Sequence, residues 1–434
     1  MNEYIKNLKL PIAIVGMGKS GEAARRLLIA SGVAPSSVIT FDGKLETAHF
    51  KDPSVLMSEA SPQTLVVSPG VPLSSGWIQD AKKSGVHITS EITLSCAILT
   101  TEKLIGVTGS VGKSTTVSLL QAGLEAFSNT GFVGGNLGTP FATYAADVIE
   151  KKRPIAEWIV LELSSYQLEN CSGLSLDYSA ITYLTSNHLE RYDSLDHYYQ
   201  TKWNILGLTK HDMLLNFSGG DLIDYSKSKG HLKQVHIISA KNPELRKYQL
   251  QQAQLIGQHN QDNIALAAAI AAKANWPESS IEGMKKFKGL AHRLENLGST
   301  KGIRFINDSK ATAMDSVQIA TAAAHETLDN NGTLYVLLGG RDKNLPWEQL
   351  SPLRNFKNTS FIFFGECRSV AQTKSALEGP SFQKLDDALE YLFSQAHPHD
   401  TVLLSPGGTS LDEFKSFEDR GDFFKRKVAA FATL

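Results

Sequence analysis

A chain of 434 residues is long for a single hydrophobic core, and at ordinary domain sizes about three domains are expected. With 42% hydrophobic and 20% charged residues, the composition is that of a folded globular protein and excludes a disordered or low-complexity class. A net charge of −1 and the lack of any basic run argue against a nucleic-acid partner, since binding a phosphate backbone relies on a basic excess or patch.

The opening MNEYIKNLKL passes straight into a polar-punctuated strand, with no signal-peptide core. The most apolar run, Ile264 to Ala272, is too short to span a bilayer and Ala-rich enough to be a packed helix. A cytoplasmic protein without a membrane partner is expected. Cys96, Cys171 and Cys367 lie far apart and fit no metal or redox spacing, so they are expected as free thiols in a reducing compartment.

Residues 10–98 alternate short β-type runs (PIAIVG, SVITF, TLVVS, VHITS) with helical stretches, the rhythm of a doubly wound α/β domain. Gly16-Met-Gly-Lys-Ser-Gly21 follows the first run and opens a helix, and Asp42 ends the second run, which completes a dinucleotide fingerprint. Read alone, it says dehydrogenase. Against that stand a stronger phosphate loop further on and the lack of an obvious hydride-transfer constellation. The physics of the fingerprint specifies only a diphosphate at a helix N-terminus, and a uridine diphosphate satisfies the same glycines.

A break near Thr100-Thr101-Glu102 precedes the run Leu104-Ile-Gly-Val-Thr-Gly-Ser-Val-Gly-Lys-Ser-Thr-Thr116. Gly109 and Gly112 let backbone N–H groups turn toward an anion, Lys113 adds a point charge, and the following helix aims its positive end at the same place. Ser114 is placed to ligate Mg²⁺. The general P-loop spacing fails, because position 107 is Val; the shorter form Gly109-x-x-Gly112-Lys113-Ser114 fits. Glu162 ends the apolar strand Trp158 to Leu163, where a carboxylate beside a phosphate loop usually serves Mg²⁺; the alternative is a cap on the next helix. A further strand is expected at Tyr178 to Leu184. His188 reads as a solvated or hydrogen-bonded loop histidine, and Lys202 in Gln-Thr-Lys-Trp-Asn as a surface lysine on a helix. The segment ends near the glycine-punctuated stretch Gly289 to Gly302. A third α/β unit follows through IRFIND, TLYVLLGG, SFIFFG and DTVLLSPGG to a C-terminal helix around Ser410 to Ala430.

The blocks GVTGSVGKSTT, GGNLGTP, VLELSSYQLE, TSNHLERY, YYQTKWNIL, GQHNQDN, AHRLEN, INDSKAT and LLSPGGTSLDEFKSFEDRG occur in that order over nearly the whole chain. In them the sequence resembles the Mur ligases. The resemblance implies an α/β protein of three domains: a Rossmann-like N-terminal domain for a UDP-substrate (1–99), a central P-loop ATPase-like domain (100–296) and a Rossmann-like C-terminal domain for an amino acid (297–434). It also implies a monomeric ATP-dependent amide ligase of peptidoglycan precursor synthesis. This enzyme joins D-glutamate to UDP-N-acetylmuramoyl-L-alanine through an acyl phosphate, with ATP and two Mg²⁺ ions.

Carried over by motif, Gly109, Gly112, Lys113, Ser114 and Thr115 hold the ATP phosphates, and Ser114, Glu162 and His188 ligate metal. Lys202 aligns with a lysine the family carries as a carbamate, which presents an anion to the second Mg²⁺. Asn260 and Asn263 face the adenine, Arg293 the γ-phosphate, and Asp308 and Lys310 the nucleotide. Gly18, Lys19, Ser20, Asp42, Ser68 and Gly70 belong to the uridine diphosphate end, and Asn136 and Ser164 to the muramoyl group. Thr312, Lys343, Ser410 and Phe417 match the D-glutamate pocket. Val111, Asn187, Ala313 and Gly407-Gly408-Thr409 depart from the family pattern, and the loss of an acidic neighbour at 187 weakens His188 as a ligand. A folylpolyglutamate-type synthetase shares the central domain but should lack the nucleotide-binding first one. A non-catalytic nucleotide-binding protein is disfavoured by the joint presence of Glu162, Lys202 and Lys310.

Overall fold

The computed structural model describes residues 3–136, 138–186, 191–255 and 257–433, leaving aside the side chains of Gln258 and His259. Its strands form three sheets. The first contains β1 (Ile12–Val15), β2 (Val38–Phe41), β3 (Thr64–Val67) and β4 (His87–Thr89), all parallel, in the order β2-β1-β3-β4. The second is also parallel throughout, with β5 (Lys103–Thr108), β6 (Phe132–Gly135), β7 (Trp158–Glu162), β8 (Leu176–Ile181), β9 (Thr209–Asn216) and β10 (Val235–Ile238) ordered β10-β9-β8-β5-β7-β6. The third contains β11 (Glu295–Thr300), β12 (Ile303–Asn307), β13 (Leu334–Gly339), β14 (Thr359–Phe364), β15 (Ser381–Phe382) and β16 (Thr401–Gly407). Their order is β11-β12-β16-β13-β14-β15, and β11 alone runs antiparallel to its neighbour. The α/β class expected from the alternating pattern is what the chain adopts.

Parallel strands covered by helices on both faces read as unbroken apolar runs, and β1, β3 and β7 are buried at every residue. The period of two then sorts each run onto two cores. Ile12, Ile14 and Val66 enter one cluster, whereas Ala13, Val15, Leu65 and Val67 enter another on the opposite face. β9, β10, β11 and β15 lacked a clear sequence signal. β11 lies in the glycine-punctuated stretch. The C-terminal helix starts at Phe417, later than expected. Ser410 to Ser416 instead make turns, in which the Ser410 carbonyl accepts from the Glu413 and Phe414 N–H groups. The Ser416 hydroxyl then accepts from the Asp419 N–H and caps the helix.

The chain divides into two compact units, Met1–Gln251 with Asp262–Lys285, and Gln252–Gln261 with Lys286–Leu434. In the first unit, the helix Lys19–Ala30 of the first sheet packs on the helix Phe141–Ile149 of the second through Ala24, Leu27, Leu28, Ala142, Ala145 and Ala146. Arg26 forms ion pairs with Asp147 and Glu150 along the same seam. No helix among the described residues is long and apolar enough to cross a membrane. All three cysteines are free; Cys171 and Cys367 are buried.

Glu91 is buried at this seam, with one carboxyl oxygen accepting from the Ala142 N–H at 2.9 Å and the other without a hydrogen-bond partner. Burial pushes its pKa up from 4.5 to about 7. Between those values the folded protein holds a proton that the unfolded chain has released, so stability falls as pH rises through the window. Glu91→Gln removes the titration but keeps the acceptor. In melting experiments it should unfold at a higher temperature than the wild type at pH ~8, with the gap closing toward pH ~5 as both forms become neutral. A gap that is constant with pH would show that Glu91 does not titrate there.

Candidate active site

In open α/β sheets, ligands bind beyond the carboxyl ends of the strands where strand order reverses. In the first sheet that point lies between β1 and β3. The turn after β1 has Gly16 at φ +90°, and a Cβ on Gly21 would stand 2.0 Å from the Gly16 carbonyl oxygen, so only glycine lets the helix start this close. Asp42 accepts from Met17 N–H at 2.9 Å with one oxygen and from the Lys44 and Leu45 N–H groups with the other, which lowers its pKa. Ser68 Oγ donates to the Gly16 carbonyl at 2.6 Å. These two residues therefore shape the glycine turn, while Gly18, Lys19 and Gly70 are exposed around it and Ser20 is half-buried.

In the second sheet the reversal lies at β5, between β7 and β8. Gly109 follows at φ +148°, where a Cβ would meet Thr182 Oγ1 at 2.1 Å, and Gly112 at φ +85° begins the helix Lys113–Glu125. Thr182 Oγ1 donates to the carbonyls of Thr108 and Val111, and Ser110 N–H donates to the Tyr183 carbonyl at 2.7 Å, so the turn is built against the end of β8. Lys113 Nζ donates to the Gly109 and Ser110 carbonyls at 2.7 and 3.2 Å. Lys202 Nζ reaches the same Gly109 carbonyl at 2.9 Å and lies 4.9 Å from the centre of the Tyr198 ring. Ser114 is buried at the start of the helix, with Thr115 half-buried beside it.

Lys202 is only 2% exposed, so it is no surface lysine. It lies on the inward side of the helix Leu195–Trp203, between the buried Thr201 and Trp203. Burial, and next the like charge of Lys113, hold its pKa well below the usual lysine range, opposed by Glu162. Glu162 is itself buried; Oε1 accepts from Asn136 Nδ2 at 2.7 Å, and Oε2 has no hydrogen-bond partner. The helix after it is capped by Ser164, in a reciprocal box with Gln167, which leaves Glu162 free of the capping role. An unpartnered buried carboxylate oxygen beside a phosphate loop suits a hard cation. His188 lies outside the described residues, and among those described no three His, Cys, Asp or Glu side chains gather as a metal cluster. Asn263 is buried, with its Oδ1 accepting from Asn216 Nδ2 at 3.3 Å; a Cβ on Gly112 would lie 3.2 Å from that oxygen. Thr182 and Asn216 carried no sequence signal, because only the sheet order brings them to the loop; Tyr198 falls in the block YYQTKWNIL but was assigned no role.

The second compact unit gathers three loops at the carboxyl ends of β12, β13 and β16. Gly407 N–H donates to the Ala311 carbonyl at 3.0 Å, and Arg341 and Thr409 bond reciprocally at 2.7 and 3.0 Å, which brings the loops of Thr312, Lys343 and Ser410 side by side. Thr312 and Lys343 are exposed and Ser410 is buried. Ser309 Oγ donates to the Phe417 carbonyl, and Lys310 Nζ sits 4.8 Å from the Phe417 ring centre. Arg420 falls in the last of the sequence blocks but was assigned no role. It is fully buried and donates to Ser309 Oγ, the Ser309 carbonyl and the Gly408 carbonyl at 2.8–3.1 Å. Asp308 accepts from Leu294 N–H and Ser405 Oγ, and burial pushes its pKa up to about 7. Arg293 is half-buried, and Asn260 is buried on the helix Gln258–Lys273.

Residues 107–271 match the Mur ligase middle domain family. Over the full length, the chain is similar to the UDP-N-acetylmuramoylalanine--D-glutamate ligases of Pasteurella multocida (strain Pm70), at 32% identity over 98% of this chain and 99% of that one, and of Anaeromyxobacter dehalogenans (strain 2CP-C), at 30% identity over 96% of each. Among solved structures it is similar in fold to the MurF ligase of Thermotoga maritima in complex with ADP. That match has a TM-score of 0.60 and 15% identity, and covers 91% of this chain and 95% of the other.

Proposed function

The chain belongs to the Mur ligase family, and from that premise we propose that it joins D-glutamate to UDP-N-acetylmuramoyl-L-alanine at the expense of ATP, in the peptidoglycan precursor synthesis of the cytoplasm. The observation that carries the reading is the meeting of Lys113 and Lys202 on the Gly109 carbonyl beside the buried Glu162, in a chain whose full length matches D-glutamate ligases.

The substrate carboxylate attacks the γ-phosphorus of ATP, releasing ADP and leaving an acyl phosphate. The amine of D-glutamate then attacks that carbonyl, and phosphate departs. Two anions must approach one another in the first step, so positioning and charge stabilisation dominate and no covalent protein nucleophile is needed. The backbone N–H groups after Gly109 and the ammonium of Lys113 cradle the phosphates, and Asn260, Asn263, Arg293, Asp308 and Lys310 are assigned to the nucleotide. Ser114, Glu162, His188 and a carbamylated Lys202 would hold two Mg²⁺ ions, which neutralise charge on the phosphates. The unpartnered Glu162 Oε2 supports the carboxylate's part in this set. The lowered pKa of Lys202 supports a neutral amine that can add CO₂ and release a proton. Gly18, Lys19, Ser20 and Gly70 would line the diphosphate end of the UDP-substrate, with Asp42 and Ser68 holding the turn; Asn136 and Ser164 would face the muramoyl group.

The direct test is phosphate release with ATP, UDP-N-acetylmuramoyl-L-alanine and D-glutamate, omitting each in turn; release without D-glutamate, or none with all three, would overturn the reading. The joined loops of Thr312, Lys343 and Ser410, with Phe417, support a D-glutamate pocket. Lys343 is an exposed cation on these loops for the second carboxylate, the group that separates glutamate from neutral amino acids. Losing one charge-assisted bond raises KM by about 10- to 150-fold, so Lys343→Ala should raise the D-glutamate KM by that order and leave the other two little changed. An equal rise for all three substrates would remove Lys343 from the pocket.

A further inference from the structure

Arg191 lies in the segment that follows His188, but its side chain belongs to neither set of residues assigned above. Its guanidinium makes a two-pronged ion pair with Glu169, at 3.2 Å from Nε and 2.8 Å from Nη2, and lies over the Tyr166 ring at 4.1 Å. Its remaining donors cross to the first sheet. Nη1 donates to the Pro69 carbonyl at 3.0 Å, and Nη2 makes a longer contact of 3.5 Å with the Val71 carbonyl. The side chain is only 9% exposed, and that of Glu169 18%.

Each end of this connection is fixed. Glu169 is the C-cap of the helix Ser165–Leu168, whose N-cap, Ser164, stands two residues after Glu162. On the other side, Val71 N–H donates to the Ser68 carbonyl at 3.0 Å, and Ser68 Oγ donates to the Gly16 carbonyl at 2.6 Å. A short series of bonds therefore runs from the carboxylate at the phosphate loop to the glycine turn of the first sheet, and Arg191 is its link across the two layers. A planar fork suits this place, since one face covers an aromatic ring while the edge serves a carboxylate and two carbonyls at once; the point charge of a lysine cannot.

We propose that Arg191 is a positioning residue that holds the Ser68–Val71 loop in register with the central site, and so sets the placement of the UDP-substrate's reactive end. The inference rests on the ligase reading, and the assay separates the two: failure of wild-type ligation removes the reading, whereas failure of the variants to behave as follows removes Arg191 alone. Arg191→Met keeps an unbranched apolar stem but deletes every donor and the guanidinium over the Tyr166 ring. Its KM for UDP-N-acetylmuramoyl-L-alanine should rise about 10- to 100-fold, while the KM values for ATP and D-glutamate stay within about twofold of wild type. Arg191→Lys should fall between wild type and Arg191→Met. Glu169→Gln, which loosens the fork but leaves its charge, should shift the same KM in the same direction by less. If Arg191→Met does not fold, as judged by melting, the other two variants carry the same test. An unchanged UDP-substrate KM, or a parallel rise for all three substrates, would reduce Arg191 to a structural contact between layers.

Discussion

Lys113→Ala should abolish turnover while leaving the UDP-substrate bound as in the wild type. Lys113 is the first residue of the helix behind the phosphate loop, and its Nζ already lies along that loop, on the carbonyls of Gly109 and Ser110. A cation at this place meets the charge that develops as the γ-phosphoryl group transfers, in surroundings drier than bulk water. Removing a preorganised group of this kind costs about 3 kcal/mol or more, which is at least a hundredfold in rate. The glycine turn of the first sheet is held by Asp42 and Ser68, whereas Lys113 donates to carbonyls of the phosphate loop, so calorimetric titration should give a UDP-substrate affinity within about twofold of wild type. Phosphate release at the wild-type rate would rule out this loop as the ATP site.

The parts of this arrangement that were legible in the sequence are those in which one local segment carries both the geometry and the chemistry. Gly109, Gly112 and Lys113 lie within five residues, and their order alone states what the backbone must do. The same holds for the glycine turn at Gly16 to Gly21, whose conformation was readable but whose ligand was not, because glycines specify space for a diphosphate and not the group attached to it. Lys202 was bland for the opposite reason. A lysine at the end of a helix is solvated by default, and only the packing of that helix against the phosphate loop takes the amine out of water and onto the Gly109 carbonyl. Thr182, Asn216 and Arg191 were unreadable because each acts on a segment far away in sequence. Thr182 supports the phosphate loop only because β8 lies next to β5, an adjacency set by sheet order. The late start of the last helix is a smaller case: Ser410 to Ser416 read as part of the helix, but the Ser410 carbonyl takes the Glu413 and Phe414 N–H groups in turns and the Ser416 hydroxyl caps the helix.

Lys202→Met should lower kcat by two orders of magnitude or more and leave the KM for ATP nearly unchanged. The buried amine donates to the Gly109 carbonyl at 2.9 Å and shares its surroundings with Lys113 and Glu162; burial, and next the neighbouring cation, lower its pKa well below the usual lysine range. On the proposed reading the uncharged amine would add CO₂ with loss of one proton, which would place an anion beside the phosphate loop. That anion can keep one N–H for the Gly109 carbonyl while offering two oxygens to a metal, so the change serves the step in which charge moves and adds little to nucleotide binding. The substitution therefore acts on the transition state, the pattern in which kcat falls and the KM for ATP holds. Two measurements separate this from loss of an ordinary lysine. Enzyme equilibrated with ¹³C-labelled bicarbonate should show a carbamate carbon resonance that is missing in Lys202→Met. Enzyme depleted of CO₂ should lose activity and regain it when bicarbonate is returned. A wild-type spectrum without that resonance, together with activity indifferent to CO₂, would leave Lys202 as a donor to the Gly109 carbonyl and nothing more.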